Sequence, residues 1–251
     1  MSEIYLGNLP IGKIPRVIGT ISKNRTLLQL NSIVWPHCDI VEVRLDEIDC
    51  SVENCLNNLQ SIEKRGLPII LTLRPVFEGG KWDSTEEERS SIFTKALKYV
   101  SAIDIEFKSK LVPEICEKAR KHKKITVVSF HDFKKTPKLK ELKDIIQKIT
   151  SYDNVIAKIS TMVNSSTDFD TLRKLLDYNW KIPVCIIGMG SKGTMTRTLF
   201  PALGSCFTYG YLDTPSAPGQ LPCRMLTEQL RQTFPEFNED VIIRYELLEC
   251  A

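Results

Sequence analysis

Eight short apolar runs alternate with amphipathic, helix-like segments along most of the chain. The runs are rich in β-branched residues and carry few polar positions, as is typical of strands buried on both faces. They are Arg16–Ile21, Ile40–Leu45, Pro68–Leu73, Ala102–Phe107, Ile125–Phe130, Val155–Ser160, Val184–Gly188 and Ser205–Tyr209. The helical segments lie near residues 25–34, 52–64, 85–100, 109–121, 137–149, 168–178, 194–201 and 219–232. This alternation in 251 residues predicts an α/β fold, the (β/α)8 TIM barrel.

Local signals predict where several helices begin and end. Ser84 precedes three glutamates and is expected to be a helix N-cap. Thr136-Pro137 predicts a helix with proline in its first position, and Gly66 and Gly204 are expected to follow helix ends. A doubly wound open sheet is the alternative fold. No GxGxxG turn follows an early strand, however, which favours the barrel.

No linker or composition break divides the chain, so we expect a single domain over residues 1–251, with a short amphipathic tail from about residue 237. The composition, 42% hydrophobic and 26% charged, is that of a globular protein, and a net charge of +3 argues against a nucleic-acid partner. We expect no membrane span and no signal peptide. Eight cysteines without a CxxC pair or zinc-ligand spacing favour a cytoplasmic location.

Lys158 lies near the end of the apolar run Asn154–Ser160. Taken alone, such a lysine would most often reach solvent, because lysine is rarely buried without a partner. Neighbouring predicted strands, however, also end in ionisable side chains. These are Glu42, Arg44, Arg74, Asp104, Glu106 and His131. Because the carboxyl ends of barrel strands build the active site, the set predicts a polar site for a small molecule at the barrel mouth.

Three further segments are candidates for this site. His131 is one of three histidines and follows a buried strand, so we expect it to transfer protons near neutral pH. Glu78-Gly79-Gly80 is predicted to be a mobile loop that carries a carboxylate over the mouth, and residues 213–220 are predicted to form a lid. A glycine-rich turn, residues 188–193, precedes Arg197, whose planar guanidinium suits a carboxylate.

The strand ends and loops carry a series of short motifs in a fixed order. They are Glu42-Val43-Arg44-Leu45-Asp46, Thr72-Leu73-Arg74, Glu78-Gly79-Gly80, Ser129-Phe130-His131-Asp132-Phe133, Lys158-Ile159, Met189-Gly190 with Arg197, and Ser216-Ala217-Pro218-Gly219-Gln220. Each motif is weak alone, but the ordered set resembles the type I 3-dehydroquinate dehydratases from about Pro15 to the final helix. Thr196 and Ser160 depart from the family pattern, in which serine and alanine are commoner.

The resemblance implies removal of water from a small-molecule substrate, 3-dehydroquinate, in the shikimate pathway, without a metal or organic cofactor. It implies a Schiff base at Lys158, acid and base chemistry by His131, orientation of His131 by Glu78, and carboxylate binding by Arg197. The other substrate contacts that it implies are Thr20, Glu42, Arg44, Arg74, Ser216 and Gln220. It also implies a homodimer and, in some organisms, fusion to a shikimate dehydrogenase.

Two alternative functions remain open at this point. A class I aldolase would need the same Schiff-base lysine, but its substrates usually carry phosphate, and the Ser216–Gln220 and Ser129–Phe133 motifs argue against it. A catalytically silent barrel that binds a metabolite or a partner protein would be expected to lack Lys158, His131 or Arg197. All three are present.

Overall fold

The computed structural model of the chain describes residues 4–30 and 37–249, with side chains up to residue 244. The first two strands, β1 (Ile4–Leu6) and β2 (Leu9–Ile11), form an antiparallel hairpin. The central sheet has nine parallel strands. They are β3 (Arg16–Ile21), β4 (Ile40–Arg44), β5 (Ile69–Thr72), β6 (Ala102–Glu106), β7 (Ile125–Asp132), β8 (Val155–Met162), β9 (Val184–Met189), β10 (Phe207–Tyr211) and the two-residue β11 (Leu221–Pro222).

Helices follow the strands and cover the outside of the sheet. They are α1 (Asn24–Gln29), α2 (Val52–Lys64), α3 (Glu86–Ala96), α4 (Val112–Lys121), α5 (Leu139–Ile149), α6 (Ser166–Leu176), α7 (Thr196–Ala202), α8 (Cys223–Thr233) and α9 (Pro235–Glu249). Two short 3-10 turns, Val76–Glu78 and Ser191–Gly193, lie in the loops after β5 and β9. No described helix is long and apolar enough to cross a membrane.

The sheet curls until its two ends meet. Strand order follows the chain from β3 to β9, and β10 pairs with β3 on the other side. Between β9 and β10, the Cys206 N–H donates to Val184 O at 2.8 Å and the Ile186 N–H donates to Ser205 Oγ at 3.0 Å. These bonds close the ring and confirm the predicted (β/α)8 barrel.

Side chains along each barrel strand alternate between the helix layer and the barrel interior. In the amino-terminal halves the inward positions are mostly apolar and form one buried cluster. Its strand members include Ile18, Ile40, Ile70, Ala102, Val127, Ile156, Cys185 and Phe207. The β1–β2 hairpin closes this end, because Leu6 and Ile11 pack into the same cluster. In the carboxyl halves the inward positions are largely polar, so a polar site forms at that end of the barrel.

The predicted strands are all present, with ends that shift by one or two residues. Gly66 and Gly204 follow α2 and α7 with positive φ angles of 85° and 107°, as expected for residues that end helices. The first predicted helix begins at Asn24, and its predicted end at 31–34 lies outside the described residues. The hairpin was not predicted, because three-residue strands show too little alternation.

Two predicted helix starts are wrong. Thr85, rather than Ser84, caps α3, since its Oγ1 accepts a hydrogen bond from the Glu88 N–H at 3.1 Å, whereas the Ser84 hydroxyl donates to the Glu88 carboxylate. The fifth helix, α5, begins at Leu139 and not at Pro137. Thr136 instead donates to Met162 O at 2.8 Å, which ties this segment to the end of β8.

The C-terminal tail is longer and more regular than predicted. It forms the 15-residue helix α9, which packs against α8 and buries Phe237 and Val241. Of its side chains described over residues 235–244, only Phe237 and Val241 are buried, so the sequence shows little helical apolar periodicity there. The single domain over residues 1–251 remains a prediction.

An ion network attaches α9 to the start of the barrel. Arg16 at the beginning of β3 is fully buried and donates to Asp240 of α9. Arg244, one turn further along α9, donates to Asp240 at 2.7 Å and also to Asp39 beside β4. A buried guanidinium requires a counter-charge, so this network stabilises the closed end of the barrel.

We expect Asp240→Asn to lower the free energy of unfolding by about 3 kcal/mol, because it leaves the fully buried Arg16 without its carboxylate. Urea or guanidinium unfolding measures this loss. The control is Glu228→Gln, which breaks the exposed Arg224–Glu228 pair and should cost well under about 1 kcal/mol. If both variants lost the same small amount, the network would not be what attaches α9.

Candidate active site

A pocket opens at the carboxyl ends of the barrel strands. All ten predicted site residues line it: Thr20, Glu42, Arg44, Arg74, Glu78, His131, Lys158, Arg197, Ser216 and Gln220. Ile187 and Tyr209 also line the pocket, although the sequence analysis assigned them no role. Both follow from the alternation of β9 and β10, since each lies two residues after an inward-facing residue, Cys185 or Phe207.

Lys158 points into the barrel from β8 and is only 5% exposed. Its Nζ atom lies 3.0 Å from Asp104 Oδ2 and 3.6 Å from Glu42 Oε1. The same atom sits 3.9 Å from the centre of the Tyr209 ring. Lys158 therefore does not reach solvent, as a lone lysine at a strand end would most often do. Two carboxylates and an aromatic face instead surround a positive charge at this atom.

Asp104 is held in place by Arg74 and Ser129. Arg74 Nη2 donates to Asp104 Oδ1 at 2.7 Å, and the Ser129 hydroxyl donates to the same oxygen at 2.6 Å. Burial would raise the pKa of Asp104, but the charges of Arg74 and Lys158 outweigh burial and hold that pKa well below its usual range. Asp104 therefore stays ionised. In the sequence, Asp104 and Glu106 are two residues apart in an otherwise apolar strand, and this spacing indicates that both carboxylates point into the barrel.

Arg74 is engaged by acidic groups on two sides. Besides Asp104, its Nη1 donates to Glu106 Oε1 at 2.7 Å and to Ser129 Oγ at 2.9 Å. Burial would lower the pKa of Arg74, but the neighbouring carboxylates of Asp104 and Glu106 raise it above its ordinary value. The guanidinium is thus a fixed part of the wall rather than a free cation.

Glu42 is fixed by hydroxyl groups from the strands on either side. Thr20 of β3 donates to Glu42 Oε2 at 3.0 Å, and Thr72 of β5 donates to Oε1 at 2.9 Å. Gln220 extends the contact by donating to Thr20 Oγ1 at 3.4 Å. The carboxylate therefore faces Lys158 in a defined orientation.

His131, near the end of β7, forms a pair in the pocket with the buried Glu78. His131 Nδ1 lies 3.1 Å from Glu78 Oε2. Burial raises the pKa of Glu78 to about 7. Burial and the positive charges of Arg74 and Lys158 lower the pKa of His131 well below its ordinary 6.5. A neutral imidazole is thus favoured, and Nε2 is the nitrogen left for a ligand because Nδ1 faces Glu78.

The segment that carries Glu78 is a hydrogen-bonded turn. The Gly80 N–H donates to Pro75 O at 3.0 Å, and the Lys81 N–H donates to Asp46 Oδ2 at 3.1 Å. Asp46 also accepts hydrogen bonds from Arg44 at 3.0 and 2.8 Å. Asp46 therefore connects the Glu78 turn to the arginine at the pocket mouth. The mobility predicted for residues 78–80 stays a prediction.

Arg197 differs from the other two arginines of the pocket. It is 2% exposed, and it donates to Gly219 O at 2.9 Å and to Tyr209 O at 2.8 Å. Among the described residues, no carboxylate pairs with it. Burial lowers the pKa of Arg197 to about 10, so it remains charged at neutral pH. Such a buried, unneutralised cation suits an anionic ligand.

Residues 213–220, the predicted lid, cross the pocket mouth between β10 and β11. Gln220 Oε1 accepts hydrogen bonds from the Ser216 N–H at 2.7 Å and from the Ser216 hydroxyl at 3.1 Å. Asp213 anchors the other end by accepting from the Ser22 N–H at 2.9 Å. Both predicted lid residues therefore face the pocket, while closure of the lid stays a prediction.

The sequence of the chain is similar to those of known proteins. A model of the family described as type I 3-dehydroquinase matches residues 18–236. The 3-dehydroquinate dehydratase of Methanocella arvoryzae is 37% identical over 194 residues, which cover 77% of this chain and 86% of the relative. That of Methanococcoides burtonii is 32% identical over 223 residues, which cover 87% and 94%.

A solved structure supports the same assignment at the level of the fold. The crystal structure of 3-dehydroquinate dehydratase from Geobacillus kaustophilus superposes with a TM-score of 0.83 at 24% identity and covers 93% of this chain and 97% of that chain. The family match spans most of the sequence and includes every barrel strand except the first residues of β3. The chain therefore belongs to the type I 3-dehydroquinase family.

Proposed function

We propose that this protein dehydrates 3-dehydroquinate to 3-dehydroshikimate through a Schiff base on Lys158, with His131 as general acid and base. The family assignment makes the chain an enzyme of the 3-dehydroquinate dehydratase type, a carbon–oxygen lyase of the shikimate pathway. The observation that carries the proposed mechanism is the burial of Lys158 at a strand end, in one pocket with His131 and Arg197.

The first step joins Lys158 to the ketone carbon of the substrate. The amine attacks the carbonyl, and the resulting carbinolamine loses water to form a protonated imine. The positive charge of the imine then lies where Asp104, Glu42 and the Tyr209 ring surround Nζ. These groups are already in place before the reaction, so they stabilise the iminium without reorganisation.

The second step is the elimination itself. His131 Nε2 removes the proton on C2, and the electrons of the C–H bond move into the iminium to give an enamine. The imidazolium then protonates the C1 hydroxyl, which leaves as water while the enamine electrons form the C1–C2 double bond. A single imidazole can serve both transfers on one face, which makes the elimination syn. Hydrolysis of the imine consumes the first water released, so the net loss is one water molecule.

Glu78 is proposed to orient the acid and base. When Glu78 is ionised, its Oε2 accepts the hydrogen bond from Nδ1–H of His131 and keeps Nε2 available as the base. The charge also stabilises the imidazolium formed after proton abstraction. This role matches the one that the family resemblance implies for Glu78.

The remaining residues are proposed to bind the substrate. Arg197 would take the carboxylate, since its charge is not neutralised by a described carboxylate. Ser216 and Gln220 would hold the lid over the ligand. The other predicted contacts are Thr20, Glu42, Arg44 and Arg74. Because the Arg74 guanidinium is bonded to Asp104, Glu106 and Ser129, we assign it chiefly to fixing Asp104.

The family assignment and the pocket each disfavour one of the two alternative functions. An aldolase is disfavoured because the family model describes a 3-dehydroquinase, and a silent barrel is disfavoured because Lys158, His131 and Arg197 share one pocket. We further propose a homodimer in the cytoplasm and one domain over residues 1–251. These three points rest on the sequence analysis alone.

We expect Lys158→Ala to abolish turnover and to prevent covalent capture of the ligand. Borohydride reduction of the wild-type protein with 3-dehydroquinate, followed by peptide mass spectrometry, should give an adduct on the peptide that holds Lys158. The control is Lys143→Ala, because Lys143 also contacts a tyrosine ring, at 4.0 Å, but lies on α5 outside the barrel. Near wild-type activity in Lys158→Ala would refute the Schiff-base mechanism.

We expect the wild-type kcat to rise through about pH 7, as Glu78 ionises and strengthens His131 as a base. Glu78→Gln should lack this step and be slower at pH 8 by about 10- to 100-fold.

Ionisation of Glu78 also opposes folding. Because the folded state raises the pKa of Glu78 above the ordinary 4.5, Glu78 contributes full stability below pH 4.5, and this contribution is lost as the pH rises to about 7. Glu78→Gln should therefore gain stability relative to the wild type over that range.

These two profiles are measured by steady-state kinetics and by chemical unfolding at a series of pH values. The exposed Glu117, changed to glutamine, is the control for loss of one acidic residue. A step at pH 7 that persists in Glu78→Gln would assign the ionisation to another group.

We expect Arg197→Met to raise KM by about 10- to 100-fold with a smaller change in kcat, because a charge-assisted pair with the substrate carboxylate is lost. Steady-state kinetics separate the two parameters. Arg173→Met, which removes an exposed arginine paired with Asp177, should leave both unchanged. A large fall in kcat at unchanged KM would instead place Arg197 in the chemical step.

A further inference from the structure

The buried charges around Lys158 continue beyond the pocket as a chain of alternating sign. From Lys158 Nζ, the chain passes to Asp104 at 3.0 Å, then to Arg74 at 2.7 Å, and then to Glu106 at 2.7 Å. It reaches Arg89 of helix α3, which donates from Nη2 to the other oxygen of Glu106 and also pairs with the partly exposed Glu86. The other four residues of this chain, Asp104, Arg74, Glu106 and Arg89, are each less than 5% exposed.

We propose that Arg89 is a positioning residue for the Schiff-base reaction, and that together with Glu106 it sets the balance of charge at Lys158. The inference rests on the proposed function, since it concerns the same lysine. Arg89 does not line the pocket. It is linked to the pocket through Glu106, which accepts hydrogen bonds from both Arg89 and the pocket residue Arg74.

Arg89 is held too firmly to be an adaptable surface residue. It is fully buried, its Nε donates to Leu73 O at 3.0 Å, and its Nη1 donates to Glu86 Oε1 at 3.2 Å. Each oxygen of Glu106 therefore receives a different arginine, Arg74 on the pocket side and Arg89 on the helix side. The single negative charge of Glu106 therefore interacts with two guanidinium groups at once.

The buried charges in and next to the chain balance when Lys158 carries a proton or a protonated imine. Three buried carboxylates then face three cations: Glu42, Asp104 and Glu106 against Lys158, Arg74 and Arg89. Glu86 also pairs with Arg89, but its side chain is 42% exposed, so solvent screens its charge from Lys158. Removal of Arg89 would leave one excess negative charge, and removal of the Glu106 charge would leave one excess positive charge. In a buried network a unit charge about 10 Å away shifts a titration on the order of one pH unit.

Other titratable groups also face Lys158 from the strands packed around it, and they contribute to the same balance. They are Glu42 of β4, Arg74 next to β5, Asp104 of β6, His131 of β7, Cys185 of β9 and Tyr209 of β10. None of these is changed in the variants below. The shifts can therefore be assigned to the outer pair.

The experiment follows the rate of borohydride-trapped adduct formation with 3-dehydroquinate from pH 5.5 to 9. The lysine must lose a proton before it attacks, so this rate has an acid limb. In Arg89→Met the excess negative charge opposes that loss, and the limb should move to higher pH by about one unit. In Glu106→Gln the limb should move to lower pH. Arg89→Lys, which keeps the charge, should return the limb toward its wild-type position.

The matched control is Arg16→Met. It also removes a fully buried arginine that is paired with a carboxylate, but at the closed end of the barrel. It should lose stability and keep the limb at the wild-type pH. If Arg89 served only to neutralise Glu106 for folding, its variants would behave in the same way.

The outcomes separate this inference from the proposed function. Opposite shifts in Arg89→Met and Glu106→Gln support the inference. Limbs that stay in place, or that move in the same direction, overturn it while the wild-type adduct on Lys158 still supports the Schiff base. If the wild type forms no adduct, both proposals fail. If Arg89→Met does not fold, the nearly isosteric Glu106→Gln and the charge-conserving Arg89→Lys decide the matter.

Discussion

The charge of Lys158 in the barrel interior is the constraint on which the rest of the site depends. An isolated ammonium group at 5% exposure would be too costly to bury, so the fold must provide counter-charges. It provides Asp104 and Glu42. These carboxylates are themselves buried and need donors, which Arg74, Ser129 and two threonine hydroxyls supply. One buried lysine thus accounts for polar residues on several neighbouring strands.

The apolar half of the barrel makes this arrangement possible. Inward positions such as Ile156 and Cys185 fill the space below Lys158, and the N-terminal hairpin seals the end with Leu6 and Ile11. Water is therefore kept from one side of the charge network, which strengthens each interaction within it. The alternation of strand residues produces both halves, because the same inward face changes from apolar to polar along each strand.

The fold, and the meeting of the candidate residues in one pocket, could be predicted from sequence because both depend on short-range periodicity. Once Glu42 and Lys158 are placed at the inward positions of parallel strands, they must lie at the same end of a barrel. The pairing of the charges could not be predicted in this way. Whether Arg74 bonds to Asp104 or to a ligand depends on strand register and side-chain rotamers, and the part played by Arg89 depends on how α3 packs across β5 and β6.

The three arginines of the pocket show what this difference means for function. Arg44 and Arg74 are each neutralised by carboxylates of the chain. Burial would lower the pKa of both guanidinium groups, but these carboxylates raise it above the ordinary value. Arg197 bonds to two backbone carbonyls instead, and burial lowers its pKa to about 10. An anionic ligand would therefore gain most from Arg197, because binding there need not break an ion pair that already exists. Residue type alone would make the three equivalent, whereas their partners divide them into two that are already ion-paired within the chain and one that no described carboxylate neutralises.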